Sequence, residues 1–149
     1  MKSISFGHTW PALVARAKSV TRRQWKAAQA KTFHAGDQVL ALDKDRRAGG
    51  QPIAELRLVD DVRSERLIDM PDSDYAAEGF SWFHAHEQAI PMSALGQPWA
   101  KDECSLGAYL VWRHTRPAQR VYVVRFTIER VYPAATRRLE RILVGEASA

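Results

Sequence analysis

Apolar and polar residues alternate most strictly in two stretches of the 149-residue chain. In residues 53–60, IAELRLVD, Ala54, Leu56 and Leu58 fall on one face, with Glu55 and Arg57 on the other. In residues 120–132, RVYVVRFTIERVY, Tyr122, Val124, Phe126 and Ile128 alternate with Val123, Arg125, Thr127 and Glu129. A period of two is the signature of a half-buried strand, so both stretches predict strands. Residues 35–44, AGDQVLALDK, predict a turn at Gly36 and a strand after it. DKDRRAGGQP at 43–52, with its Gly49-Gly50 pair, predicts a hairpin-type loop.

Helical spacing governs other segments. TWPALVARA at 9–17 predicts a short helix capped by Thr9, with Pro11 in the first turn and Trp10, Leu13 and Ala17 sharing a face. TRRQWKAAQAK at 21–31 predicts a second helix, because Thr21 and Gln24 have the spacing of a capping box. SERLIDM at 64–70 and SDYAAEGF at 73–80 predict short helices, the second stopped by Gly79. Residues 80–118, rich in Trp, His, Gln and Pro, are hard to read, but CSLGAYLVWRH at 104–114 has helical spacing. ATRRLERILV at 135–144 predicts a closing helix with Leu139, Ile142 and Leu143 inward. No repeat, low-complexity segment or linker divides the chain. The sum is a mixed α+β chain whose simplest architecture is a small curled sheet or barrel with helices packed outside.

Composition sharpens this picture. Apolar residues make up 46% and charged residues 26%, as in a globular domain able to bury a core. No apolar run is long enough to cross a membrane, and the opening residues lack a signal peptide's pattern. The lone cysteine, Cys104, cannot close an internal disulfide and is read first as a small buried side chain, so a reducing cytoplasm is the expected compartment. The net charge of +5 is unevenly laid out. Residues 1–36 carry seven Lys or Arg and no acid, residues 37–112 carry seven bases and fourteen acids, and residues 113–149 carry eight bases and three acids. If the termini meet in the fold they make one positive face, the footprint expected for a polyanion such as nucleic acid.

Chemistry concentrates in RAKSVTRRQW at 16–25, which holds four cations, two hydroxyls and no acid. A threonine hydroxyl needs a neighbouring base, and a lysine serves as one when burial and nearby cations lower its pKa. Lys18 and Thr21, beside Arg22 and Arg23, are such a pair, with a carboxylic acid still required for a leaving amine. The structural alternative is equally concrete: Thr21 as a helix cap and Lys18 complementing a helix dipole. His84, His86 and Glu87 do not complete a recognised metal spacing, so they are read as a polar aromatic loop. Trp25, Trp82, Phe83, Trp99 and Trp112 are core aromatics or base-stacking platforms. The chain has no P-loop, no GxGxxG and no GxSxG, which argues against ATP use, a dinucleotide fold and an α/β-hydrolase.

The order of KSVTRRQW, FHAGDQVLAL, YAAEGF and VYVVRFTI resembles the ASCH domain family, whose K-x-x-T-x-R run matches Lys18, Thr21 and Arg23. Gly36 and Asp37, Glu78, and Val124 to Phe126 match its later pieces, and the likeness spans roughly residues 4 to 130. The resemblance implies a PUA-like β-barrel with flanking helices, a single domain over 1–149 with a helical insert at about 80–118. A compact branch is similar to N4-acetylcytidine amidohydrolases. Carried over, Lys18 is the proton acceptor, Thr21 the nucleophile and Glu78 the proton donor. RNA or a modified nucleoside is the expected partner, contacted by Arg22, Arg23, Trp25, Arg46, Arg47 and Arg125, with no metal or cofactor. A non-catalytic RNA-binding module and a metal-independent ribonuclease are the alternatives.

Overall fold

The computed structural model describes residues 1–88 and 105–145. Trp99 and Cys104 lie outside them, as does much of the expected insert. Strands β1 (Lys2–Ser5), β2 (Val20–Arg23), β3 (Gln38–Leu42), β4 (Pro52–Leu58), β5 (Arg63–Arg66) and β6 (Arg120–Val131) form a strongly curled sheet, a half-barrel. Around it lie α1 (Trp10–Val14), α2 (Ala27–Ala30), α3 (Asp74–Ala77), α4 (Phe80–Ala85), α5 (Ser105–Thr115) and α6 (Pro133–Leu143). The α+β class and the curled sheet with external helices agree with the sequence reading. No helix of the described residues is long and apolar enough to cross a membrane.

Strand β6 is the hub. Its run of Val, Thr, Ile and aromatic residues suits an extended, half-buried backbone. The strand order is β1-β3-β4-β6-β2, and β5 also pairs with β6. Val123 faces Arg22 of β2 and Arg63 of β5, so those two strands occupy opposite edges of β6. Its N-terminal half is covered on both faces, since Val121, Val123, Val124 and Phe126 are all buried. Register shifts at Ala41/Leu42 and at Glu55/Leu56 mark irregularities of the kind that bend a sheet. In the β3–β4 loop, a Cβ on Gly50 would stand 2.0 Å from the Lys44 carbonyl oxygen, so only glycine fits there.

The expected alternation of β4 is present, with Ala54, Leu56 and Leu58 buried and Arg57 exposed. They join Ile4, Leu13, Val39, Met70 and Val124 in one core, to which α6 adds Ala135 and Leu139. Leu143 is exposed rather than inward. Arg138 holds α6 down by bonding Asp43 at 2.5 Å and lying 4.2 Å over the Trp10 ring.

Two helix expectations are corrected. Residues 21–31 are not one helix: Thr21, Arg22 and Arg23 lie in β2 and only Ala27–Ala30 is helical, with Lys26 as its N-cap. Pairing with β6 outweighs the local capping signal, because the sheet satisfies these backbone groups and buries Val20. Likewise SERLIDM opens as strand β5 and only Leu67–Asp69 coils, as a 3-10 turn. Thr9 is the N-cap residue of α1 but donates its hydroxyl to the Phe6 carbonyl at 2.8 Å instead of capping.

Candidate active site

The segment that delivers Lys18 is fixed at both ends. After α1 the chain turns through Arg16, whose φ is +61°, and Ala17 N–H donates to the Ala12 carbonyl at 2.8 Å. Beyond Lys18, Ser19 N–H donates to the Ala77 carbonyl and the Ser19 carbonyl accepts from Phe126 N–H. Lys18 is thereby held between the end of α3 and the middle of β6.

Glu78 comes from the other side. It ends α3, and Gly79 then reverses the chain with φ +99°. A Cβ on Gly79 would lie 2.8 Å from the Ala12 Cβ and 3.7 Å from the Lys18 Cβ. Gly79 therefore serves two needs, a left-handed backbone and close approach of the Glu78 turn to α1. Gly79→Ala is expected to cost at least about 1–2 kcal/mol in a urea titration, from the backbone conformation alone. It should also weaken any activity that depends on Glu78.

At the meeting point Lys18 Nζ donates to the Glu78 carbonyl at 2.8 Å and to Glu78 Oε1 at 2.9 Å. The other oxygen, Oε2, accepts from Arg22 Nη1 at 2.7 Å. Arg22 spends its remaining donors on Glu65 at 2.9 Å and Asp74 at 2.5 Å, and Arg125 also bonds Asp74. Lys18, Arg22, Asp74 and Glu78 are all buried. Burial pushes the Lys18 ammonium below its ordinary 10.5, helped by Arg23 and Arg22 and opposed by Glu78. For Asp74 burial acts upward, but hydrogen bonds from Arg125 and Arg22 outweigh it and leave the carboxyl below its ordinary 3.8. The Arg22 guanidinium, against burial, is held above its usual range by Glu78 and Asp74.

Of these residues Lys18, Arg22, Arg23 and Glu78 line a cleft of about 390 Å³, a volume in the range of small-molecule sites. Thr21 lines it with them, and Phe6, Phe80 and Trp112 are its aromatic surface. Thr21 is only 4% exposed, and among the described residues its hydroxyl makes no hydrogen bond. A second cavity of about 190 Å³ is lined by Trp25 and Arg46, and it shares Ser5 and Arg23 with the first.

The remaining expected contacts are placed differently. Arg22 and Arg125 are engaged by carboxylates, and Arg47 lines neither cavity; its backbone N–H donates to the Asp45 side chain at 2.8 Å. Trp82 and Phe83 are core residues, and His86 stacks on Trp82 with centroids 4.5 Å apart. Glu65 and Asp74, which anchor Arg22, were missed by sequence reasoning. Their one signal is that a buried arginine needs carboxylates beside it.

No family model and no curated protein matches the chain. Among solved structures it is similar to the DUF984-family protein EF3133 from Enterococcus faecalis V583, at 17% sequence identity and a TM-score of 0.55. The match covers 89% of this chain and 83% of that one. At that identity the likeness shows a shared fold, and the half-barrel fits a PUA-like barrel.

Proposed function

We propose that the chain is a single ASCH-type domain that hydrolyses the amide of an acylated cytidine, as in N4-acetylcytidine, with Lys18, Thr21 and Glu78 as its catalytic residues. The observation that carries this reading is the 2.9 Å bond between Lys18 and Glu78 in the wall of a cleft that Thr21 also lines. One proton shift along that bond turns an ion pair into a neutral amine and a carboxylic acid. Those are the base and the acid that amide cleavage requires.

In the first half-reaction Thr21 Oγ1 attacks the amide carbonyl carbon and its proton passes to Lys18 Nζ. The C–N bond then breaks as the Glu78 carboxylic acid protonates the departing exocyclic nitrogen, freeing cytidine and leaving an acetyl ester on Thr21. In the second half-reaction the Glu78 carboxylate takes a proton from water as that water attacks the ester. The Lys18 ammonium returns a proton to Thr21 Oγ1, and acetic acid leaves and ionises. The pair ends with the same single proton it began with. Phe6, Phe80 and Trp112 supply flat apolar surface for the base.

The test incubates the purified chain with N4-acetylcytidine and, in parallel, with unmodified RNA. The proposal expects cytidine and acetate from the first and intact RNA from the second. RNA scission without metal would transfer the site to a ribonuclease. Salt-sensitive RNA binding with neither product would make it a binding module.

A further inference from the structure

The charges around the cleft do not all cancel. Lys18, Arg22 and Arg125 are paired with Glu65, Asp74 and Glu78, three cations to three carboxylates. Arg23, the next residue along β2, forms no ion pair among the described residues. Its Nη2 donates to the Ser5 carbonyl, its Nε is buried without a partner, and its guanidinium lies 5.3 Å over the Phe6 ring. Burial pushes the group down to about 10, with only Glu78 acting upward. An uncompensated cation is thus built into the wall between two cavities.

The smaller cavity continues the same chemistry. Its wall holds the hydroxyl residues Ser3 and Ser5, the amide residue Gln29, and Arg46, whose side chain makes no ion pair or hydrogen bond among the described residues. The acid present, Asp45, already uses one carboxylate oxygen to cap the turn at Arg47. Two guanidinium groups, hydroxyls and one amide around a small polar space suit a phosphate better than a sugar or a base. The larger cleft has the aromatic walls that a base needs, and Arg23 stands where the two join.

We propose that the second cavity takes a phosphate of the substrate through Arg23 and Arg46, so that the preferred substrate is a phosphorylated acyl-cytidine rather than the free nucleoside. This rests on the reading of the larger cleft as the nucleoside site. The phosphate belongs either to a mononucleotide or to a nucleotide within RNA.

The experiment measures binding by calorimetry with probes that lack the acyl amide: cytidine, cytidine 5′-monophosphate, cytidine 3′-monophosphate and a cytidine dinucleotide. At least one phosphorylated probe should bind about ten-fold tighter than cytidine or better, as a charge-assisted contact provides. Arg46→Ala should shrink that ratio to less than about two-fold, and added salt should narrow it. An advantage confined to a monophosphate identifies a mononucleotide substrate; one kept by the dinucleotide identifies RNA. Either supports the subsite. Equal affinity of cytidine and all phosphorylated probes overturns it, as does an advantage unaltered in both Arg46→Ala and Arg23→Lys. Cytidine release from N4-acetylcytidine, assayed on the same preparation, tests the amidase reading separately. Hydrolysis without a phosphate advantage sinks this inference alone, and a phosphate advantage without hydrolysis leaves the subsite standing while the amidase reading falls.

Discussion

Lys18→Met is expected to lower turnover of N4-acetylcytidine by about a thousand-fold, the scale of a lost general base, while the protein stays folded. Methionine fills a similar volume without charge, and Glu78 keeps its 2.7 Å bond from Arg22 on Oε2 while Oε1 loses its Lys18 donor. The fold loses little, because burial already disfavours the charged form of Lys18. The sign follows from linkage. A lysine with a lowered folded pKa binds fewer protons folded than unfolded, so stability rises as pH climbs from that lowered value towards 10.5. Below that lowered value the charged lysine is a cost. The same shift places the alkaline limb of the wild-type pH–rate profile below 10.5, where the Lys18–Glu78 pair loses the proton it shares. A limb at or above 10.5 would mean that Lys18 is not the titrating group.

Arg22→Met carries the largest expected loss of stability, about 3–5 kcal/mol by urea denaturation, the usual cost of removing one partner from a buried charge network. Among the described residues Arg22 alone joins Glu65, Asp74 and Glu78, and its side chain is fully buried. Asp74 gives this network a pH signature. Its folded pKa is depressed, so its contribution is present above 3.8 and is lost as pH falls through the lower folded value. The wild type should therefore lose stability below about pH 4, and Asp74→Asn should flatten that acid limb. A loss for Arg22→Met below about 1 kcal/mol would show that the network is surface-like, where ion pairs contribute little.

What was legible in the chain divides along physical lines. Strands β4 and β6 show in the alternation of Ala54, Leu56 and Leu58 and of Val124 and Phe126, because one covered face imposes a period of two. The turn at Gly79 was legible too, since glycine is the residue that takes φ +99° without strain. Strand β2 was not. Thr21 and Gln24 carry a helix-start spacing that is local, whereas the partner that decides the matter, residues 122–125 of β6, lies far along the chain. The site divides the same way. Lys18, Thr21, Arg23 and Glu78 were named from the order of short motifs, and all four line one cleft. Glu65 and Asp74 sit among many other acids with nothing local to set them apart; only folding brings them to Arg22. The second cavity was equally hidden, since Trp25 and Arg46 come together only when the β3–β4 loop packs beside β1 and β2.

The proposed amidase depends on Lys18, Thr21 and Glu78 acting together on an acyl-cytidine amide. Its most direct test follows cytidine and acetate from N4-acetylcytidine by chromatography, with the wild type beside Lys18→Met, Thr21→Ala and Glu78→Gln. The predicted result is equal amounts of the two products from the wild type and none above background from any folded variant. Absence of cytidine from the wild type, or the same rate in wild type and variants, would contradict it.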